Sequence, residues 1–136
     1  MSTTREKSFD RNISALDGIF EFIAEFVSTF GIVPAVSYTL QFAIEEVFTN
    51  LVKYDLEAEA SVSIRMEKND NRIIVTIVNA GGRFFDMTAQ TDSDNRPYDR
   101  RAGGLGLYLV RKMVDEFHYA YTDGTGIITI VVSLEG

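Results

Sequence analysis

Glu46, Thr49, Asn50 and Lys53 recur at the spacing of one helical face, opposite an apolar stripe of Ala43, Ile44, Val47 and Leu51. An asparagine amide oxygen is a neutral, hard ligand of the kind Mg2+ accepts, and a glutamate one turn earlier can take a proton or orient a water. The plainer reading of the same stripe is a solvated helix face, which taken alone is the commoner outcome. A second group, Gly103-Gly104-Leu105-Gly106-Leu107, runs directly into a helical pattern. Unblocked backbone N–H groups and a helix N-terminus would converge there, which suits a phosphate; the alternative is glycines kept for tight packing. A third group is Val78-Asn79-Ala80-Gly81-Gly82 at the end of a strand pattern. A hydrogen-bond acceptor followed by glycines that let a flat ring approach the backbone could form the floor of a base pocket. Its alternative is a strand-ending turn, and Asp123-Gly124-Thr125-Gly126 likewise reads most simply as a hairpin turn.

Other chemistries are poorly served. The chain has no Cys, which removes cysteine nucleophiles, thiolate zinc sites and disulfides, and its one His, His118, makes a multi-histidine metal centre or a Ser-His-Asp hydrolase a poor bet. The P-loop signature is absent, and no strand immediately precedes the glycines at 103 to 106 within a βαβ unit, so a Rossmann site is not expected.

The elements that must position these groups follow from hydrophobic periodicity. Leu16, Ile19, Phe20, Ile23, Val27 and Phe30 keep a helical rhythm up to Gly31, with Ser14 and Asp17 as the expected N-terminal cap. Pro34 opens a second helix that runs to about Tyr54 and buries Val36, Leu40, Ala43, Ile44, Val47 and Leu51. Val62, Ile64 and Met66 alternate with polar residues, and after the turn at Lys68 to Asn71 the denser run Ile73 to Val78 reads as a more buried strand. Residues 79 to 104 are too long for an ordinary connection and read as a functional loop, with a lid between Phe84 and Ala102. Leu105 to Glu116 returns to helical spacing, with Leu105, Leu109, Val110 and Met113 on the apolar side; two strands follow, at Phe117 to Tyr121 and Ile127 to Leu134. The expected class is α+β, a two-layer sandwich with helices packed on one face of a mainly antiparallel sheet.

The chain's 136 residues predict a single domain over residues 1–136, large enough to bury its own core. Its 20 Asp and Glu against 13 Lys and Arg leave a net charge of -7, which argues against a nucleic-acid partner, because backbone binding needs a basic surface. No apolar run approaches the ~20 residues of a membrane span, and the polar start has no signal-peptide core, so the expected location is cytoplasmic, with no membrane partner.

In order, Glu46-Val47-Phe48-Thr49-Asn50, Asn79-Ala80-Gly81-Gly82, Gly103-Gly104-Leu105-Gly106-Leu107 and Gly124-Thr125 resemble the successive boxes of the Bergerat-fold, histidine-kinase-like ATPases. Within that superfamily the chain is most similar to the anti-sigma-factor serine kinases, on Phe42-Ala43-Ile44-Glu45-Glu46 through Lys53 and on Gly104 through Arg111. The resemblance covers Ile13 to Leu134. It implies an ATP site with Asn50 on Mg2+, Glu46 as catalytic base, and Gly103, Gly104, Leu105, Gly106 and Leu107 at the phosphates. It also implies that Lys53, Gly81 and Thr125 line the site, and that Asn79 contacts adenine. The family usually has Asp at that last position; Asn keeps an acceptor oxygen, loses the charge and adds a donor. Tyr54 stands where the family commonly has His.

The activity implied is an ATP-dependent protein serine kinase that holds a sigma factor inactive and phosphorylates a small antagonist protein on serine, working as a homodimer. Its alternative is a non-catalytic partner-switch module with weak or no ATP binding. An orphaned histidine-kinase ATPase domain is less favoured, since no helical segment offers a phospho-accepting His.

Overall fold

The computed structural model describes residues 3–54, 61–81 and 104–134. The elements run β1 (Thr4–Phe9), a short 3-10 turn (Ile13–Ala15), α1 (Leu16–Phe30), α2 (Pro34–Tyr54), β2 (Val62–Lys68), β3 (Arg72–Ala80), α3 (Gly104–Met113), β4 (Glu116–Thr122) and β5 (Thr125–Ser133). The strands form one sheet in the order β1-β2-β3-β5-β4, and every neighbouring pair is antiparallel. Helices pack against that sheet to give the expected two-layer α+β sandwich.

Strand periodicity explains which face is covered. Along β3 the side chains alternate, with Ile73, Val75 and Ile77 excluded from solvent and Ile74, Thr76 and Val78 half-buried on the other face. In register beside them lie Ile64 and Met66 of β2 and Ile128, Ile130 and Val132 of β5. Against this apolar face sit Ile19, Phe22, Ile23 and Phe26 from α1, and Leu40, Ile44, Val47, Phe48 and Leu51 from α2. Each such side chain contributes roughly 1.5–3 kcal/mol by leaving water, so the layer between the sheet and the two long helices is a main source of stability.

Three local expectations are corrected. The polar start of the chain forms an edge strand: β1 pairs with β2 from Thr4↔Glu67 to Phe9↔Val62. Arg5, Glu6, Lys7 and Ser8 are exposed, so no apolar alternation announces the strand, and its charged side chains guard the sheet edge. The first helix is also entered differently. Asn12, not Ser14, is the capping side chain; it accepts from the Ser14 N–H at 2.8 Å and caps the 3-10 turn, while α1 itself begins after Ala15 without a side-chain cap.

The third correction concerns α3. The helix ends at Met113, and its covered side is Leu107 and Val110, continued by Val114, whereas Leu105, Leu109 and Met113 stay exposed. Both sets have helical spacing, so periodicity alone leaves the phase open; contact with α2 decides it. The lid between Phe84 and Ala102, together with Gly82 and Gly103, lies outside the described residues.

Candidate functional site

Near its C-terminal end α2 changes character. Ile44, Val47 and Phe48 are fully buried among apolar neighbours, and Asn50 is equally withdrawn, with 3% of its surface exposed. Its Nδ2 donates to the Glu46 carbonyl at 2.6 Å, and Thr49 Oγ1 donates to the same oxygen at 3.3 Å. Because only the NH2 end of the amide can donate to a carbonyl, this bond fixes the orientation of the side chain. Asn50 Oδ1 is thereby left buried, accepting no hydrogen bond among the described residues. A buried acceptor without a partner costs on the order of 1–3 kcal/mol, so its presence marks a position suited to a ligand or cation. A neutral oxygen of this type fits Mg2+.

Glu46, one turn earlier, lies against the first turn of α3. A methyl group on residue 106 would stand 1.9 Å from Glu46 Oε1 and 2.8 Å from its carboxyl carbon, so any larger residue there would push the carboxylate aside. Burial pushes the Glu46 carboxyl above its ordinary range, the neighbouring Glu45 adds to the rise, and Lys53 opposes it. The stripe read from the sequence is therefore only partly a solvated face: Lys53 is exposed, Thr49 and Glu46 are half-buried and Asn50 is enclosed. α3 starts at Gly104, with Leu105 pointing outward and Leu107 locked in the core as a packing residue.

The base-pocket candidate forms a second group at the end of β3. Asn79, 3% exposed, shares the inner face of the sheet with Ile73, Val75 and Ile77, and pairs in register with Gly126 of β5. A side chain at 126 would meet Tyr119 at 3.3 Å and Asn79 Cβ at 3.9 Å, so this corner is closely packed. Thr125 lies opposite Ala80, and Gly81 follows with φ 75°. The predicted turn between β4 and β5 is a two-residue Asp123-Gly124 hairpin with both φ values positive, 52° and 81°.

One member of this group was not foreseen from the sequence. Arg11, half-buried beyond the end of β1, donates through Nη1 to Asn79 Oδ1 and through Nη2 to the Ala80 carbonyl at 3.4 Å. It stands 68 residues from Asn79 in a polar segment, and no local pattern could have pointed to it.

The sheet is thus covered on one face by helices, and a carboxylate packed on a glycine at a helix start has a buried asparagine one turn away. The chain belongs to the histidine kinase-like ATPase domain family, which matches residues 9–132. Among curated proteins it is similar to the serine-protein kinase RsbW of Listeria monocytogenes, at 29% identity over 98 residues, and to that of Bacillus licheniformis, at 28% over 96. These matches take in 65% of this chain and 61% and 60% of the two relatives, so a substantial part of each relative's length has no counterpart in the match. Two solved structures share the fold. The RsbU and RsbW domains of Rv1364c from Mycobacterium tuberculosis superpose with a TM-score of 0.70 at 14% identity, covering 95% of this chain and 32% of that one. A chain of the SiaB-SiaC complex from Pseudomonas aeruginosa superposes with a TM-score of 0.65 at 13% identity, covering 95% and 88%. Among the described residues, no helix is long and apolar enough to cross a membrane.

Proposed function

We propose that this chain is an ATP-dependent protein serine kinase that acts as an anti-sigma factor, binding a sigma factor and phosphorylating an antagonist protein on serine. The observation that carries the reading is the Glu46 carboxylate packed against Gly106 in the first turn of α3, with the buried Asn50 oxygen, which accepts nothing among the described residues, one turn further along α2. The relatives named as serine-protein kinases support it.

In this reading Asn50 holds Mg2+ through Oδ1, and the N–H groups at the start of α3, from Gly104 through Gly106, receive the phosphates. Mg2+ when bound neutralises charge on the triphosphate. Asn79 meets the base, with Gly81 and Thr125 beside it, and Lys53 contributes positive charge at the rim. Glu46 is the catalytic base. Its raised proton affinity suits it to take the proton of an incoming serine hydroxyl, and its place against Gly106 sets it beside the phosphate-binding turn.

A second reading, a partner-switch module without catalysis, draws on a different observation: Arg11 already donates to the Asn79 oxygen that the base would have to share. Calorimetric titration with ATP, with and without Mg2+, followed by transfer of labelled phosphate to the antagonist, separates the two. Mg2+-dependent binding with transfer supports the kinase; binding of the partner without either supports the module.

A further inference from the structure

The inner end of β3 is arranged unusually for a pocket that is to accept an amino group. Asn79 has one acceptor oxygen and two donor hydrogens, and the oxygen already receives Arg11 Nη1. The neighbouring Ala80 carbonyl, a second acceptor at the strand end, faces Arg11 Nη2 at 3.4 Å. A guanidinium cannot give up its proton and offers donors only, so this corner is rich in donors, and each of these two oxygens already receives one. The contact is also insulated, because Asn79 is almost fully buried and Arg11 half-buried.

A 6-aminopurine brings a donor to this corner. At Asn79 Oδ1 its amino group must share the oxygen with Arg11 Nη1, which sets two donors side by side and leaves the base edge facing a guanidinium. A 6-oxopurine instead presents two neighbouring acceptors, O6 and N7, which match the donor fork of an arginine. We propose that Arg11 is a specificity-determining residue of the base pocket, shifting its selectivity from 6-aminopurine towards 6-oxopurine nucleotides. This rests on the nucleotide-binding reading of the site given above.

ATP and inosine triphosphate are suitable probes, since their bases differ only in the 6-amino against 6-oxo group and the accompanying N1 proton. Affinities of both would be measured by calorimetry in Mg2+ for wild type, Arg11→Ala and Arg11→Lys. Wild type should bind inosine triphosphate at least as tightly as ATP. Arg11→Ala should move the ratio about tenfold towards ATP, as expected when a charged donor that favours the 6-oxo group is removed. Arg11→Lys, which keeps the charge but not the fork, should fall between them and carries the test if Arg11→Ala does not fold. A ratio unchanged within twofold in both variants, or a shift towards inosine triphosphate, would overturn the inference and leave the nucleotide reading intact. Failure of either nucleotide to bind any of the proteins overturns the nucleotide reading, and this inference with it.

Discussion

The inner face of β3 contains two regions that are equally buried and chemically unlike. Ile73, Val75 and Ile77 lie among other apolar side chains, whereas Asn79, two residues further on, is as inaccessible and polar. α2 repeats the contrast, passing from Ile44, Val47 and Phe48 to Asn50 within two turns. Asn50 and Asn79 are the buried polar residues among those described, and each stands near the C-terminal end of its element. Burial stabilises the first region, whereas in the second it must be offset by hydrogen bonds such as those of Asn79 with Arg11 and of Asn50 with the Glu46 carbonyl. The two asparagines differ in turn: the oxygen of Asn79 is held by Arg11, while that of Asn50 accepts nothing among the described residues.

The contrast is broken most strongly by exchanging the two regions' sensitivities. Ile77→Ala should cost about 2–5 kcal/mol in urea denaturation through lost burial and a cavity, with nucleotide affinity little changed. If that substitution instead abolished binding while leaving stability intact, the division between core and site would fail.

At the polar end the expected losses are in function. Glu46→Gln should lower serine phosphorylation of the antagonist by ~10² or more, with ATP affinity and melting temperature near wild type; equal rates at saturating ATP would remove Glu46 from catalysis. Asn50→Ala should abolish the Mg2+ dependence of ATP binding. Its stability should stay within about 1 kcal/mol of wild type, because the lost bond to the Glu46 carbonyl is offset by removal of an unsatisfied acceptor. Persistence of the metal effect in calorimetry would assign the cation to other ligands.

The Arg11 contact sharpens the contrast further. Asn79→Asp alone should improve ATP affinity by less than about threefold, because the new carboxylate pairs with Arg11; with Arg11→Ala also present the gain should approach tenfold. Equal gains in both backgrounds would show that residues 11 and 79 are not coupled.

The smallest expected effect is in pH. Burial raises the proton affinity of Glu46 in the folded chain above its unfolded value, so its favourable contribution is complete below the ordinary carboxylate range and falls as pH rises through the folded value. Glu46→Gln removes that fall. The melting temperature of the variant should therefore gain slightly on wild type across this interval, and a gap that narrows with rising pH would contradict the assigned direction.

Much of this is legible in the sequence. Periodicity located both long helices and the β2–β3 hairpin, and the Asp-Gly pair marked the turn between β4 and β5, because each depends on neighbours close in the chain. β1 was not legible. Its side chains carry no alternation, and it is a strand because β2 offers an unpaired edge from Val62 to Glu67. The exposed side of α3 was misjudged for a related reason: two apolar sets fit one helix, and only the position of α2 distinguishes them.

The α+β class, the amphipathic elements and the residue types that could form a site follow from local sequence, since propensity, capping and hydrophobic period act over one or two turns. The tertiary structure decided which polar residues are withdrawn from water. It set the Glu46 carboxylate on Gly106, left Asn50 Oδ1 enclosed and brought Arg11 to Asn79 across 68 residues. Desolvation and long-range hydrogen bonding depend on packing between elements, and neither leaves a local trace along the chain.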